Sequence, residues 1–329
     1  MSQKLKGKVR IYACGGAGTN IGKQLEAFRG AEETGMAVVD VTYIDTSRSN
    51  LTNGIPEDAV YLLKDLDGSG KIRKENYQQI TAHTLDILQK HSPQDLSVVI
   101  SSASGGSGSV IAPSIVSELL DRDLPVLVVL VGSTDTRLEI DNTLKTIKSY
   151  EAISNLRQKP VVVKYLQNSK AMPRAAVDAN VLTTLSSVLI AWSRENSELD
   201  SKDLFNFLNF HRVTDFTPRL AAFNVYSEQF PNEVEGSVVT VTTLCGKGED
   251  SSLPITPDYQ AVGFLPEDAN ERIMQFAPIH LVITTDLMAS AARSLNTRLE
   301  ELKQQQRARV DAGPILSDKD GVTDNGLVL

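Results

Sequence analysis

The chain has 329 residues, 41% hydrophobic and 22% charged, a composition that supports a sizeable buried core and about two domains. Its formal net charge of −8 argues against direct nucleic-acid binding. The two cysteines, Cys14 and Cys245, have no C-x-x-C neighbour, which argues against a disulfide framework or a thiolate zinc site, and no apolar run approaches the ~20 residues of a membrane helix. Residues 1–8 are polar and basic with no apolar run behind them, so no secretory leader is expected and a cytoplasmic location is. The four histidines, His83, His91, His211 and His280, share no metal-ligand spacing, so no protein metal site is expected.

The first half of the chain alternates β-rich runs with helical patterns. Strands are predicted over 8–13, 38–44, 96–101, 125–131 and 160–166, and helices over 20–29, 75–90, 109–121 and 139–156. Near-continuous apolar strands separated by helices predict a parallel sheet covered on both faces. A longer helix is predicted over 178–195, where Val177, Val181, Leu185, Val188, Leu189 and Trp192 keep one face. A polar segment follows, and another helix begins near Ser201. Strands near 219–226, 238–244 and 280–285, with a short helix near 267–275, read as a smaller mixed domain. Residues 290–310 are strongly helix-forming, and 311–329 read as an extended tail.

Two glycine clusters sit where strands end and helices begin. The first is Gly15-Gly16-Ala17-Gly18-Thr19-Asn20, and the second is Ser104-Gly105-Gly106-Ser107-Gly108-Ser109. Glycine lets the backbone approach a ligand closely, and a helix N-terminus presents unpaired N–H groups and a positive dipole end, which suits phosphate. Neither cluster is a P-loop, since no lysine follows at the required place. A dinucleotide fingerprint fails as well: Gly16 and Gly18 start one, but Gly22 comes one residue late. A dinucleotide oxidoreductase is therefore the weakest reading.

The second cluster resembles the glycine-rich signature loop of the tubulin/FtsZ superfamily, and the first is similar to that family's first phosphate loop. Further pieces follow in the family's order. Asp45 ends the second strand, where the family has a polar residue near the nucleotide, and Gly68, Ser69 and Gly70 occupy the third loop, which in the family senses the γ-phosphate. Glu139 and Asn142 are similar to the ribose-binding loop, Asn168 to the asparagine that contacts base and ribose, and Asn180 to the residue that reads the guanine edge. Ala176 stands where the family usually stacks an aromatic on the base. The third loop also looks like an EF-hand, but Asn76 occupies the place of the bidentate glutamate, and calcium is not expected.

Asp200 and Asp203 fit an N-cap and first-turn carboxylate by spacing alone. The resemblance implies more. Their loop is similar to the family's N-x-D-x-x-D-like segment, with Glu198 in place of the asparagine, and the family inserts these carboxylates over the γ-phosphate held by the next subunit. GTP or GDP, with Mg²⁺ bound mainly through the nucleotide, is the implied cofactor, and assembly-coupled GTP hydrolysis is the implied activity.

A closer resemblance, to the short phage-encoded tubulins of the PhuZ type, rests on chain length, on residues 142–153 and on the tail. The tail carries Asp311, Asp318, Asp320 and Asp324 against Lys319, with apolar Ile315, Leu316, Leu327, Val328 and Leu329. It implies a dynamic homopolymer with tail-mediated contacts between subunits and phage DNA or a replication compartment as cargo in the host cytoplasm. The expected architecture is α/β, tubulin/FtsZ-like. A parallel-sheet GTP-binding domain spans 1–177, and a central helix with its catalytic loop spans 178–200. A smaller mixed α+β second domain spans 201–289, and a C-terminal helix with an extended acidic tail spans 290–329. The rival from another class is a nucleotide-binding scaffold or regulator that does not hydrolyse.

Overall fold

A computed structural model of the chain describes residues 5–25, 35–51, 54–64, 66–74 and 76–310; the tail reading therefore lies outside the described residues. The strands are β1 (Lys8–Cys14), β2 (Val38–Asp45), β3 (Val60–Leu62), β4 (Leu96–Ser102), β5 (Val126–Ser133), β6 (Val161–Asn168), β7 (Leu220–Ser227), β8 (Ser237–Cys245), β9 (Tyr259–Phe264) and β10 (Ile279–Thr285). They form one sheet in the order β3-β2-β1-β4-β5-β6-β7-β10-β8-β9. Pairing is parallel from β3 through β7, antiparallel on both sides of β10, and parallel again between β8 and β9.

The helices are α1 (Gly15–Gln24), α2 (Tyr77–Ala82), α3 (Thr84–Lys90), α4 (Gly108–Asp121), α5 (Arg137–Arg157), α6 (Arg174–Ala191), α7 (Ser201–Leu208), α8 (Glu271–Met274) and α9 (Leu287–Val310). The parallel strands are apolar on both faces because both are covered. On β1, Ile11 and Ala13 enter a core shared with α1 and α6, while Tyr12 and Cys14 enter one shared with α4 and α5. The three-residue ladder β6–β7, from Val161↔Leu220 to Val163↔Ala222, joins the parallel part to the mixed part of the sheet.

One strand escapes the sequence reading. β9 reads Tyr-Gln-Ala-Val-Gly-Phe, with a glycine inside it, which weakens a strand pattern. The helix predicted over 75–90 divides at His83 into α2 and α3. α6 starts at Arg174, not at residue 178, because Pro173 serves as its N-cap.

The order of the first six strands reverses direction between β1 and β4. β1 connects outward to β2 on one side and β4 outward to β5 on the other, so a crevice opens at their carboxyl ends, where ligands of such sheets bind.

Candidate functional site

A cavity of about 470 Å³ occupies that crevice. Both glycine clusters line it, and each opens a helix: α1 begins at Gly15 and α4 at Gly108. Neither N-cap residue, Cys14 or Ser107, caps its helix with a side chain. α5 and α7 are closed by capping boxes, Thr136 with Glu139 and Asp200 with Asp203. The helices that point into the cavity thus keep N–H groups for a ligand, and a phosphate there meets donors and the positive ends of two dipoles.

The two loops interlock. Gly15 has φ of +70°, and a Cβ on it would meet Gly108 Cα at 2.9 Å; a Cβ on Gly108 would lie 2.6 Å from Cys14 O. Gly18 works differently from its sequence reading. It is buried beneath the loop, where a Cβ would lie 2.6 Å from Ile100 O and 2.9 Å from Ala13 C, so it seats α1 on the sheet and does not line the cavity.

Polar contacts fix the cavity walls. Asp45 Oδ1 accepts from the Thr46 and Ser47 amides, and its Oδ2 accepts from Asn50 Nδ2 at 2.8 Å. Burial pushes the Asp45 carboxyl up, and these donors oppose it. The third loop lies across the second: Ser69 Oγ is 3.1 Å from Ser107 Oγ, which is 2.6 Å from Thr46 Oγ1. Asn142 staples them from behind, its Nδ2 donating to Lys71 O at 2.8 Å and to Ser104 O at 3.2 Å. Ser109 Oγ lies 2.8 Å from both the Gly105 and Gly106 carbonyls. Glu139 lines the cavity and pairs with Lys71 Nζ at 2.7 Å. Burial raises its carboxyl, but Lys71, Thr136 and Ser133 outweigh that and hold it low.

Gly15, Gly16, Ala17, Asn20, Asp45, Gly68, Ser69, Gly70, Ser104 to Gly108 in the second loop, Glu139 and Asn168 all line the cavity. Asn142, Ser109 and Gly18 brace it from outside. Asn168 Oδ1 is buried without a hydrogen-bond partner, a polar atom available to a ligand. Asn180 is exposed and not among the lining residues; α6 presents Arg174 and Asp178, one turn apart, in its place. A two-residue step turns a helix by about 200°, which carries Asn180 to another face. Arg174 and Asp178 were given no site role from the sequence; the signal that could have found them was Pro173, a helix-start residue.

Asp200 and Asp203 are far from this cavity. Their helix α7 begins beside Gln94, Asp95 and Pro125, the residues that lead into β4 and β5. That is the amino edge of the sheet, a strand length of roughly 20 Å from the carboxyl edge. The capping role read from the sequence is present: Asp200 Oδ1 accepts from Lys202 N at 2.7 Å and Asp203 N at 2.9 Å, and Asp203 Oδ2 accepts from Asp200 N at 3.0 Å. Those backbone donors hold the Asp200 carboxyl below its usual range.

A magnesium ion fits only as a companion of the nucleotide. Among the described residues no cluster of three His, Cys, Asp or Glu side chains could hold one, and the cavity's oxygens are serine hydroxyls such as Ser69 and Ser107 and the dispersed carboxylates of Asp45, Glu139 and Asp178. Magnesium keeps several waters and takes few protein ligands when phosphates supply the rest.

No family model matches the chain. A phage tubulin-like protein of Pseudomonas phage phiKZ is 28% identical over 98% of each chain. Among solved structures, a protofilament of TubZ from bacteriophage PhiKZ superposes with a TM-score of 0.80 at 27% identity, covering 98% of this chain and 99% of the other. The phage tubulin PhuZ with GDP superposes with a TM-score of 0.84 at 22% identity over the same shares. With the strand order, the interlocked glycine loops and the long α6, these likenesses make the chain similar over nearly its whole length to phage tubulin-like proteins, on a tubulin/FtsZ-like α/β fold.

Proposed function

We propose that the chain is a GTPase that polymerises head to tail, each subunit holding GTP or GDP at its carboxyl edge and receiving Asp200 and Asp203 from the amino edge of the next. The observation that carries this reading is the separation of the two: a subunit's acid pair cannot reach its own cavity, so only a second copy brings them together. The solved relatives include a protofilament and a GDP-bound subunit, which supports both halves of the reading.

The residues divide the work. The free N–H groups of α1 and α4 take the phosphates. Asp178 accepts from the N1–H and exocyclic amine of guanine, a donor pair adenine lacks, and the flat guanidinium of Arg174 covers the ring where the family has an aromatic. Asn168 and Glu139 face the sugar. Magnesium, bound with the nucleotide, supplies charge neutralisation at the phosphates. The incoming carboxylates orient and polarise a water in line with the terminal phosphate. The tail over 311–329 reaches a neighbouring subunit, and phage DNA or a replication compartment in the host cytoplasm is the cargo.

Phosphate release measured against protein concentration tests the proposal. Turnover per subunit should rise steeply above a threshold that matches the onset of light scattering. Asp200→Ala with Asp203→Ala should bind GTP normally, assemble, and lose on the order of 10²-fold in turnover. Normal phosphate release by that variant would return both residues to the role of helix caps, a role the capping box already gives them, and no phosphate release from the parent at any concentration would favour the non-hydrolysing scaffold.

A further inference from the structure

β9, at the outer edge of the sheet, touches the acidic loop at three successive places. Phe264 and Ser197 exchange both backbone hydrogen bonds, at 2.9 and 3.0 Å, which anchors the start of the loop. A Cβ on Gly263 would lie 2.6 Å from Leu199 Cβ, so the glycine lets the middle of the loop close against the strand. At the other end of β9, Tyr259 Oη donates to Asp203 Oδ1 at 3.1 Å. Tyr259 and Gly263 stand four residues apart and share one face of the strand.

Asp203 is therefore held by both oxygens, Oδ2 by the backbone amide of Asp200 and Oδ1 by a side chain from a different element. A cap needs only the first of these. The second fixes the remaining torsion of the carboxylate, and the donor belongs to the sheet edge, not to α7. Thr240 on β8 adds a further tie, its Oγ1 donating to Phe207 O near the end of α7. Burial, then the neighbouring Asp203, pushes the Tyr259 hydroxyl up to about 12, so at neutral pH it remains a donor.

We propose that Tyr259 is a positioning residue for hydrolysis, its hydroxyl setting the direction of the Asp203 carboxylate presented to the neighbouring subunit's nucleotide. The proposal rests on the assignment of Asp203 to the hydrolytic site. It also makes the edge strand β9 a ruler that sets the reach of the acidic loop.

The test is Tyr259→Phe, which removes one oxygen from a half-buried ring and leaves its packing. GTP affinity of the subunit and critical concentration should stay within about twofold of the parent, while phosphate release per polymerised subunit should fall about tenfold, the scale of one hydrogen bond to a charged group. In an Asp203→Asn background the same substitution should change turnover less than twofold, because Tyr259 acts through Asp203. Asp203→Asn alone separates the two ideas. If it turns over normally, the acid-pair reading and this proposal both fall. If it is slow but Tyr259→Phe is normal, only the positioning role falls. Equal losses of assembly and turnover in Tyr259→Phe, or additive losses in the double variant, would also overturn it in favour of a purely structural contact.

Discussion

Gly108→Ala tests the interlock of the two phosphate loops. The added Cβ would lie 2.6 Å from Cys14 O and 3.2 Å from Cys14 C. Real Cβ contacts stay beyond 3.0 Å, so the loops must part by at least 3.0 − 2.6 = 0.4 Å. No flexible side chain absorbs that shift. Both partners are backbone, and Cys14 is tied into the ladder opposite Ser101. Overpacking of this kind costs roughly 1–3 kcal/mol, and at about 2.1 cal/mol/K of unfolding entropy per residue that lowers Tm by about 1.5–4 °C. The same displacement pulls a helix N-terminus off the phosphates. Loss of one charge-assisted hydrogen bond is worth about 1.5–3 kcal/mol, so GTP affinity should fall about 10- to 100-fold. Gly105→Ala is the control, since its Cβ would meet only Ser102, at 3.7 Å, an ordinary contact. Its Tm without nucleotide should stay within about 1 °C of the parent. Thermal melts without nucleotide and calorimetric GTP titration read both quantities. A Gly108→Ala protein with the parental Tm and the parental GTP affinity would show that the loops do not meet as described.

Asp178→Asn should reduce GTP affinity about 10²-fold and improve binding of xanthosine triphosphate relative to GTP, because the amide donates where the carboxylate accepted. Competition binding decides this, and equal GTP and ATP affinities in the parent protein would remove the base assignment. Glu198 has φ of +60°, a left-handed conformation that asparagine adopts more readily, so Glu198→Asn should raise stability by about 1 kcal/mol, read as a higher melting temperature; a lower one refutes the strain argument. Deletion of 311–329 should spare GTP binding by the subunit and abolish or greatly weaken polymerisation, since exposed ion pairs of about 0–1 kcal/mol each must act together with the apolar anchors. Sedimentation at the parental critical concentration would show that the tail plays no part in assembly.

What was legible in the sequence was what a local pattern can carry. The glycine clusters follow apolar strands and open helices, so their place at the carboxyl edge follows from strand-to-helix order alone, and the parallel strands showed as runs rich in Val, Ile and Leu, unbroken from Val126 to Val131. Helix phase was harder. Buried Val177, Val181, Leu185 and Val188 fix the face of α6 that packs on the sheet, but its first turn bears little of that pattern, and the cavity-facing pair Arg174 and Asp178 lies there. The three-way contact of β9 with the acidic loop was invisible for a different reason. Ser197, Asp203, Tyr259 and Phe264 are brought together only by the order of strands in the sheet, and neither a propensity nor a spacing encodes that.

The placement of cavity and acid pair on opposite edges makes the proposed reaction centre a property of a junction, not of a molecule. A row of identical subunits then always has one junction fewer than it has subunits. At one terminus a nucleotide waits with no carboxylates above it; at the other, carboxylates project with nothing beneath. The two termini are therefore chemically unlike, although every link is the same. Under the proposed mechanism the terminal nucleotide at the open edge would survive until another subunit lands on it, so arrival of a new link would start the clock for the one before. Direction and timing would both follow from a distance of one strand length inside a single fold.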